Sequence, residues 1–197
     1  MFYKVAFKIV NGLILLLNGK IKVEHKERMP EGNFILAGPH LTWWDPLVFA
    51  IAGRPKEYTF MAKKELFKNK LFSYVLKKVN VFPVDRDNPG PSAIKIPVKA
   101  LKTTEKSLIM FPSGTRHSDE LKGGIALIAK MAKVPIVPVV YHGPLTMKGL
   151  LKRQKMTVEF GHPIDISDIK KLDDQGIQEV TKRMNTAFDA LTREAKK

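Results

Sequence analysis

The sequence predicts an α/β sandwich, with strands and helices alternating along the chain and packing as layers around one core. Three observations carry that prediction. Short apolar runs such as FILA (residues 34–37) and LIMF (residues 108–111) have the length of buried strands. Other stretches repeat apolar residues at helical spacing, most cleanly Ile177, Val180, Met184, Phe188 and Leu191. The 197 residues, 44% hydrophobic and 27% charged, suffice for one domain with a full core and are too few for two domains. Alternation of the two patterns without any internal repeat argues for a layered α/β domain.

Residues 1–19, MFYKVAFKIVNGLILLLNG, place Lys4, Lys8 and Asn11 on one helical stripe, with Phe2, Phe7, Val10, Ile14 and Leu17 largely opposite. Spanning a bilayer takes about 20 predominantly apolar residues. Here the unbroken apolar run covers only residues 13–17, so the helix reads as lying on a membrane surface. The alternative is a helix packed on the protein's own core. No small-x-small cleavage site marks a signal peptide. The expected organisation is this amphipathic membrane-surface helix (1–19) followed by a single α/β domain (20–197).

Residues 20–25 alternate and residues 34–37 are apolar, which predicts two strands joined by a turn at Pro30-Glu31-Gly32. The second runs into GPHLTWWD (residues 38–45). Residues 46–52 read as a short buried helix ended by Gly53. Residues 54–78 hold eight Lys or Arg and only Glu57 and Glu65 as acids, with Phe60, Leu66, Phe67, Leu71, Phe72 and Leu76 between them. That mixture suits a nucleic acid, a membrane surface, or simply a solvated helix over a core. Residues 79–86, VNVFPVDR, form a strand delivering Asp85 and Arg86, and NPGP (88–91) is a loop. A helix over 92–106, broken or started at Pro97, leads to the strand at 108–111 and then to PSGTR (112–116). After Gly123-Gly124 come a helix at 125–132 and a β-branched run at 134–141. Pro135 and Pro138 predict an edge or irregular strand there. A further strand at 156–160 precedes the C-terminal helix.

His40 and Asp45 are the first candidate for chemistry. A neutral imidazole takes a proton near pH 7 when one ring nitrogen is free and the other donates to an acceptor that fixes the tautomer. Five residues of regular helix turn through about 500°, so the two side chains meet only across a loop or a helix start. The same residues also suit plain capping, with Thr42 and Asp45 as a capping box, or Asp45 as the N-cap and Pro46 at the first helical position. Ser-Gly-Thr-Arg after a strand suits an anion, since glycine lets backbone N–H groups approach and Thr and Arg add donors. It lacks the Walker pattern, and Ser113 is not in a Gly-x-Ser-x-Gly elbow.

Lys and Arg number 34 against 19 Asp and Glu, a formal charge of +15, so an anionic partner is expected. The absence of cysteine excludes disulfides, thiolate metal sites and a cysteine nucleophile. His25, His117, His142 and His162 show no metal-ligand spacing, and no metal is expected.

Four blocks stand in order: His40 to Asp45 as His-x4-Asp, VFPVDR ending at Arg86, FPSGTR at 111–116, and VPIVPVV at 134–140. Over residues 34–140 they resemble the glycerolipid acyltransferases, most closely the bacterial lysophosphatidate (1-acylglycerol-3-phosphate) acyltransferases. AKKEL at 62–66 also resembles a recurring family segment. The chain departs from the family pattern at Pro39, where Asn is common, and at Ser113, where Glu is usual. The resemblance implies a glycerolphosphate acyltransferase-like fold, a mixed β-sheet flanked by helices with an N-terminal helical anchor. It implies transfer of a fatty acyl group from acyl-CoA or acyl carrier protein to the 2-hydroxyl of lysophosphatidate, with His40 as base and Asp45 as its partner. Arg86 and Arg116 are then expected to bind the phosphate, helped by Lys63, Gly114 and Thr115, without a cofactor. The expected location is the cytoplasmic face of the membrane, with the anionic surface as partner. Two alternatives stand beside this reading. One is a related acyltransferase using glycerol 3-phosphate or another lysophospholipid. The other is a non-catalytic basic module for anionic membrane or nucleic acid, although no nucleic-acid-binding motif is visible.

Overall fold

The computed structural model describes residues 2–85, 88–112 and 123–194. Among these, seven strands form one sheet in the order β1-β7-β6-β2-β5-β3-β4. The strands are β1 (Ile21–Glu24), β2 (Ile35–Ala37), β3 (Glu57–Lys63), β4 (Val81–Val84), β5 (Lys106–Met110), β6 (Ile136–His142) and β7 (Met156–Phe160). All neighbours are parallel except β6 and β7. The sheet is therefore mixed, with β1 and β7 running against the other five.

Alternate residues of each strand feed two cores. Leu36, Phe60, Ile109, Val137, Val139 and Val158 point to one face, under α1 (Phe2–Leu17) and α2 (Asp45–Ala52). Ile35, Leu108 and Ile136 point to the other, under α4 (Ser92–Thr103), α5 (Gly124–Ala132) and α7 (Asp174–Glu194). Strands covered on both faces have no polar side to alternate with, and so FILA and LIMF read as unbroken apolar runs. Each fully buried Leu, Ile or Phe contributes about 1.5–3 kcal/mol of transfer free energy.

The N-terminal helix divides its apolar residues between two faces. Tyr3 and Phe7 are buried, with Val10 and Ile14 packed beside them, and the Phe7 ring stacks on Phe60 at 6.0 Å. The Tyr3 hydroxyl accepts from the Tyr58 N–H at 3.2 Å. Phe2, Ile9, Leu13 and Leu16 remain exposed on the outer side. Packing on the protein's own core thus accounts for one face only, and the predicted grouping of Phe2 and Leu17 with Phe7 gives way to this division.

Four other expectations are corrected. The strands β1 and β2 form but do not pair, because β7 and β6 lie between them. The run at 134–141 is not an edge strand: β6 sits between β2 and β7. Its Pro138 carbonyl accepts from the Gly161 N–H at 2.8 Å, so the missing proline donor faces β7 where that strand has already ended at Phe160. Residues 57–63, within the basic stretch, form the interior strand β3, and α3 (Lys70–Lys78) follows. Helix α4 continues through Pro97, which is buried along with Val98 and Leu101.

Candidate active site

Strand β2 lies between β5 and β6, and His40 follows its C-terminal end, where loops of parallel sheets carry sites. Gly38 makes the approach possible. A Cβ there would stand 2.6 Å from the Val139 carbonyl oxygen and 2.9 Å from the Phe49 ring, so only a residue without a side chain passes between them. The chain then turns through residues 42–44 into α2. Its N-cap is Trp44, which makes no side-chain cap, and Asp45 opens the helix with Pro46 behind it. Asp45 is therefore not the N-cap, and only half of the Thr42–Asp45 capping box is formed: the Asp45 carboxylate accepts from the Thr42 N–H, while the Thr42 hydroxyl donates to Asp45 instead of accepting from the helix.

Asp45 is fully buried, and four donors converge on its carboxylate. The His40 Nδ1 stands 3.2 Å from Oδ2. The Leu41 and Thr42 N–H groups donate to the same oxygen at 2.6 and 2.7 Å. The Thr42 hydroxyl donates to Oδ1. A carboxylate buried with this many partners recovers the solvation it has lost. An ionised carboxylate accepts and does not donate, so the pairing places the imidazole proton on Nδ1 and leaves Nε2 as a proton acceptor. The five-residue spacing works because residues 41–44 turn before the helix begins.

The His40 ring lies against Phe111, with centroids 4.1 Å apart and planes 24° from parallel, and Phe49 stacks behind Phe111 at 6.0 Å. The β2–β5 register, with Ala37 opposite Met110, brings the first residue of FPSGTR beside the histidine. On the other side, burial pushes the Tyr141 phenol up to about 12, opposed by the neighbouring Trp44 indole and assisted by the Asp45 charge. Trp44 is buried and Trp43 exposed, their rings edge to face at 5.3 Å.

Lys63 closes β3, in register with Val84 of β4, and stands 3.8 Å from Glu65. It shares the C-terminal sheet edge with His40 but lies two strands away, roughly 10 Å across the ladder. Lys64 pairs with Asp85 on the same edge. Arg86, Gly114, Thr115 and Arg116, with Ser113, lie outside the described residues. Strands β4 and β5, whose sequences run on toward them, both end on the His40 edge. Two contributors were not singled out in the sequence: Phe111, legible only as the first letter of its block, and the backbone donors of Leu41 and Thr42.

A family model described as Acyltransferase matches residues 20–142. The chain belongs to the acyltransferase family. The match takes in all four sequence blocks and the strands β1 to β6. A Streptococcus pneumoniae protein named 1-acyl-sn-glycerol-3-phosphate acyltransferase is 50% identical, over 100% of this chain and 75% of its own length. A Bacillus subtilis protein of the same name is 45% identical, over 81% of each chain. The crystal structure of the 1-acyl-sn-glycerophosphate (LPA) acyltransferase PlsC from Thermotoga maritima shares the fold. Its TM-score is 0.64 at 23% identity, over 97% of this chain and 77% of that one. The acyltransferase fold thus places the histidine and aspartate of the first block in direct contact.

Proposed function

We propose that this acyltransferase moves a fatty acyl group from acyl-CoA or acyl carrier protein to the 2-hydroxyl of 1-acylglycerol-3-phosphate, giving phosphatidic acid. One observation carries the reading: Asp45 holds His40 through Nδ1, which leaves Nε2 to act as base. The names of the relatives at 45–50% identity supply the substrate.

In this mechanism His40 Nε2 removes the proton of the 2-hydroxyl as its oxygen attacks the thioester carbonyl. The new C–O bond forms, the C–S bond breaks as the tetrahedral intermediate collapses, and the imidazolium returns the proton to the departing thiolate. Asp45 stabilises that imidazolium, much as the acid of a Ser-His-Asp triad does. Direct transfer within a ternary complex requires neither a nucleophilic side chain nor a cofactor. Arg86 and Arg116 bind the acceptor phosphate, since guanidinium groups pair with phosphate oxygens bidentately. Lys63, Gly114 and Thr115 assist.

Residues 1–19 serve in this proposal as a membrane-surface helix on the single domain 20–197, and the protein works at the cytoplasmic face of an anionic membrane. The exposed row Phe2, Ile9, Leu13 and Leu16 and the +15 charge support it. Among the described residues no helix is long and apolar enough to cross a membrane.

The test is turnover of lysophosphatidate with acyl-CoA and acyl-carrier-protein donors, beside His40→Ala. Loss of about 10²-fold or more in kcat is expected for the variant, and undiminished turnover would end the base assignment. Removing Arg86 or Arg116 should chiefly raise KM for the phosphorylated acceptor.

A further inference from the structure

Helix α3 faces the wrong way for a helix that meets only water. At about 100° per residue, Leu71, Phe72, Tyr74 and Val75 share one broad face, and Ser73 lies ~200° from Leu71. The small polar Ser73 is the buried residue of this helix, at 9% exposure. Leu71 is 75% exposed, more than any other large apolar side chain among the described residues, and Tyr74 is 56% exposed. A surface helix ordinarily turns its apolar stripe to the core. Here the stripe points outward.

The helix is not a loosely held segment. Asn69 caps it, its side chain accepting from the Phe72 N–H at 3.0 Å, and it packs on β4 and on the short 3-10 helix Lys64–Phe67. Right-handed crossovers put α2 and α3 on the same sheet face, since both connections step in one direction along β2-β5-β3-β4. That face also carries α1, with Ile9, Leu13 and Leu16 exposed.

We propose that α3 is a second lipid-docking helix, which seats its Leu71, Phe72, Tyr74 and Val75 face in an anionic bilayer surface alongside α1. Charge selects this occupant. Residues 68–78, KNKLFSYVLKK, contain four lysines and no acid. All four lysines are exposed, and Lys78 lies over the Tyr74 ring with Nζ 5.4 Å from its centroid. Lys70 and Lys77 flank the Tyr74 side of that face and Lys78 falls within it, and lysine stems beside apolar and aromatic side chains are what an interfacial helix presents to headgroup phosphates. The 3-10 helix leading into α3 starts at the C-terminal end of β3, on the sheet edge that carries His40. Docking there would hold that edge close to a membrane-borne acceptor. The proposal deepens the membrane reading given above, and its test reads binding apart from turnover.

The chain has no cysteine, so single labels are clean. Leu71→Cys carrying an environment-sensitive fluorophore should shift to the blue on vesicles of phosphatidylcholine with one quarter phosphatidylglycerol. Lys102→Cys, on the opposite sheet face, should not shift. The double variant Leu71→Asp, Val75→Asp should bind those vesicles at least about tenfold more weakly. Its melting temperature should stay within about 3 °C of the parent's, and its turnover of dispersed short-chain substrate within about twofold. Equal shifts at both labels, or unchanged binding by the double variant, would overturn the proposal. A dimer in solution that the same variant dissolves would also overturn it, by assigning the face to a second copy. Absence of turnover in the parent protein, with the Leu71 shift intact, would count against the enzymatic reading and leave the docking helix standing.

Discussion

His40 lies nearly flat on Phe111, their ring centroids 4.1 Å apart, so the imidazole is held on one side by an aromatic plane and at its Nδ1 by Asp45. The plane restricts rotation about the axis that the hydrogen bond leaves open. Phe111 follows directly on β5 and His40 comes just after β2, and the parallel register of those strands sets the stack. Phe111→Ala should lower kcat by about 2- to 10-fold, the kinetic equivalent of an aromatic contact. KM should change little. A pH–rate profile beside Phe111→Leu separates loss of positioning from loss of bulk, since the leucine variant fills the space without the plane.

Asp45→Asn should cost more. An amide presents one acceptor oxygen where the carboxylate offers two, and its NH₂ confronts donors from His40, Leu41 or Thr42. A fall in kcat of about 10²-fold or greater is expected, with a lower melting temperature because a buried donor is left unmatched. Thr42→Val removes one donor and keeps the shape. It should destabilise the fold by about 1–3 kcal/mol in chemical denaturation, and Thr42→Ser should restore most of the loss.

Gly38→Ala is expected to act on both fold and site. Its Cβ would meet the Val139 carbonyl oxygen, a backbone atom that cannot rotate away, and the Phe49 ring. Relief requires β2 and β6 to separate or the loop carrying His40 to move. A stability loss of about 1–3 kcal/mol and reduced kcat should appear together. Unchanged values of both would show that the loop relaxes freely.

Stability should also depend on pH through His142, at the end of β6. Burial pushes this imidazole below its ordinary range, and the Glu24 charge only partly offsets that. In the unfolded chain the histidine binds a proton at about pH 6.5. Below that value the unfolded state holds more protons than the folded one, and folding loses stability as pH falls toward the depressed folded value. Denaturant midpoints between pH 5 and 7.5 should therefore rise with pH. His142→Gln should flatten that slope.

The division between sequence and structure follows the range of the interactions. His40, Asp45 and the residues between them form a local unit, so their partnership was legible from spacing and turn chemistry, and of the capping box only the half made by the Thr42 N–H formed. Buried strands announced themselves as apolar runs because both faces are covered, and the C-terminal helix did so by its stripe. Strand order was invisible: nothing local says that β1 and β2 are separated by β7 and β6, or that a strand with prolines sits inside the sheet. Those outcomes depend on which strand ends where, as the missing Pro138 donor opposite the end of β7 illustrates. The stack of Phe111 on His40 depends on the β2–β5 register, and the outward stripe of α3 on which side of that helix meets β4. Sequence alone determined the order of the four blocks and the local pairing of His40 with Asp45. Tertiary packing, acting between residues far apart in the chain, decided how they are held and which apolar faces are left uncovered.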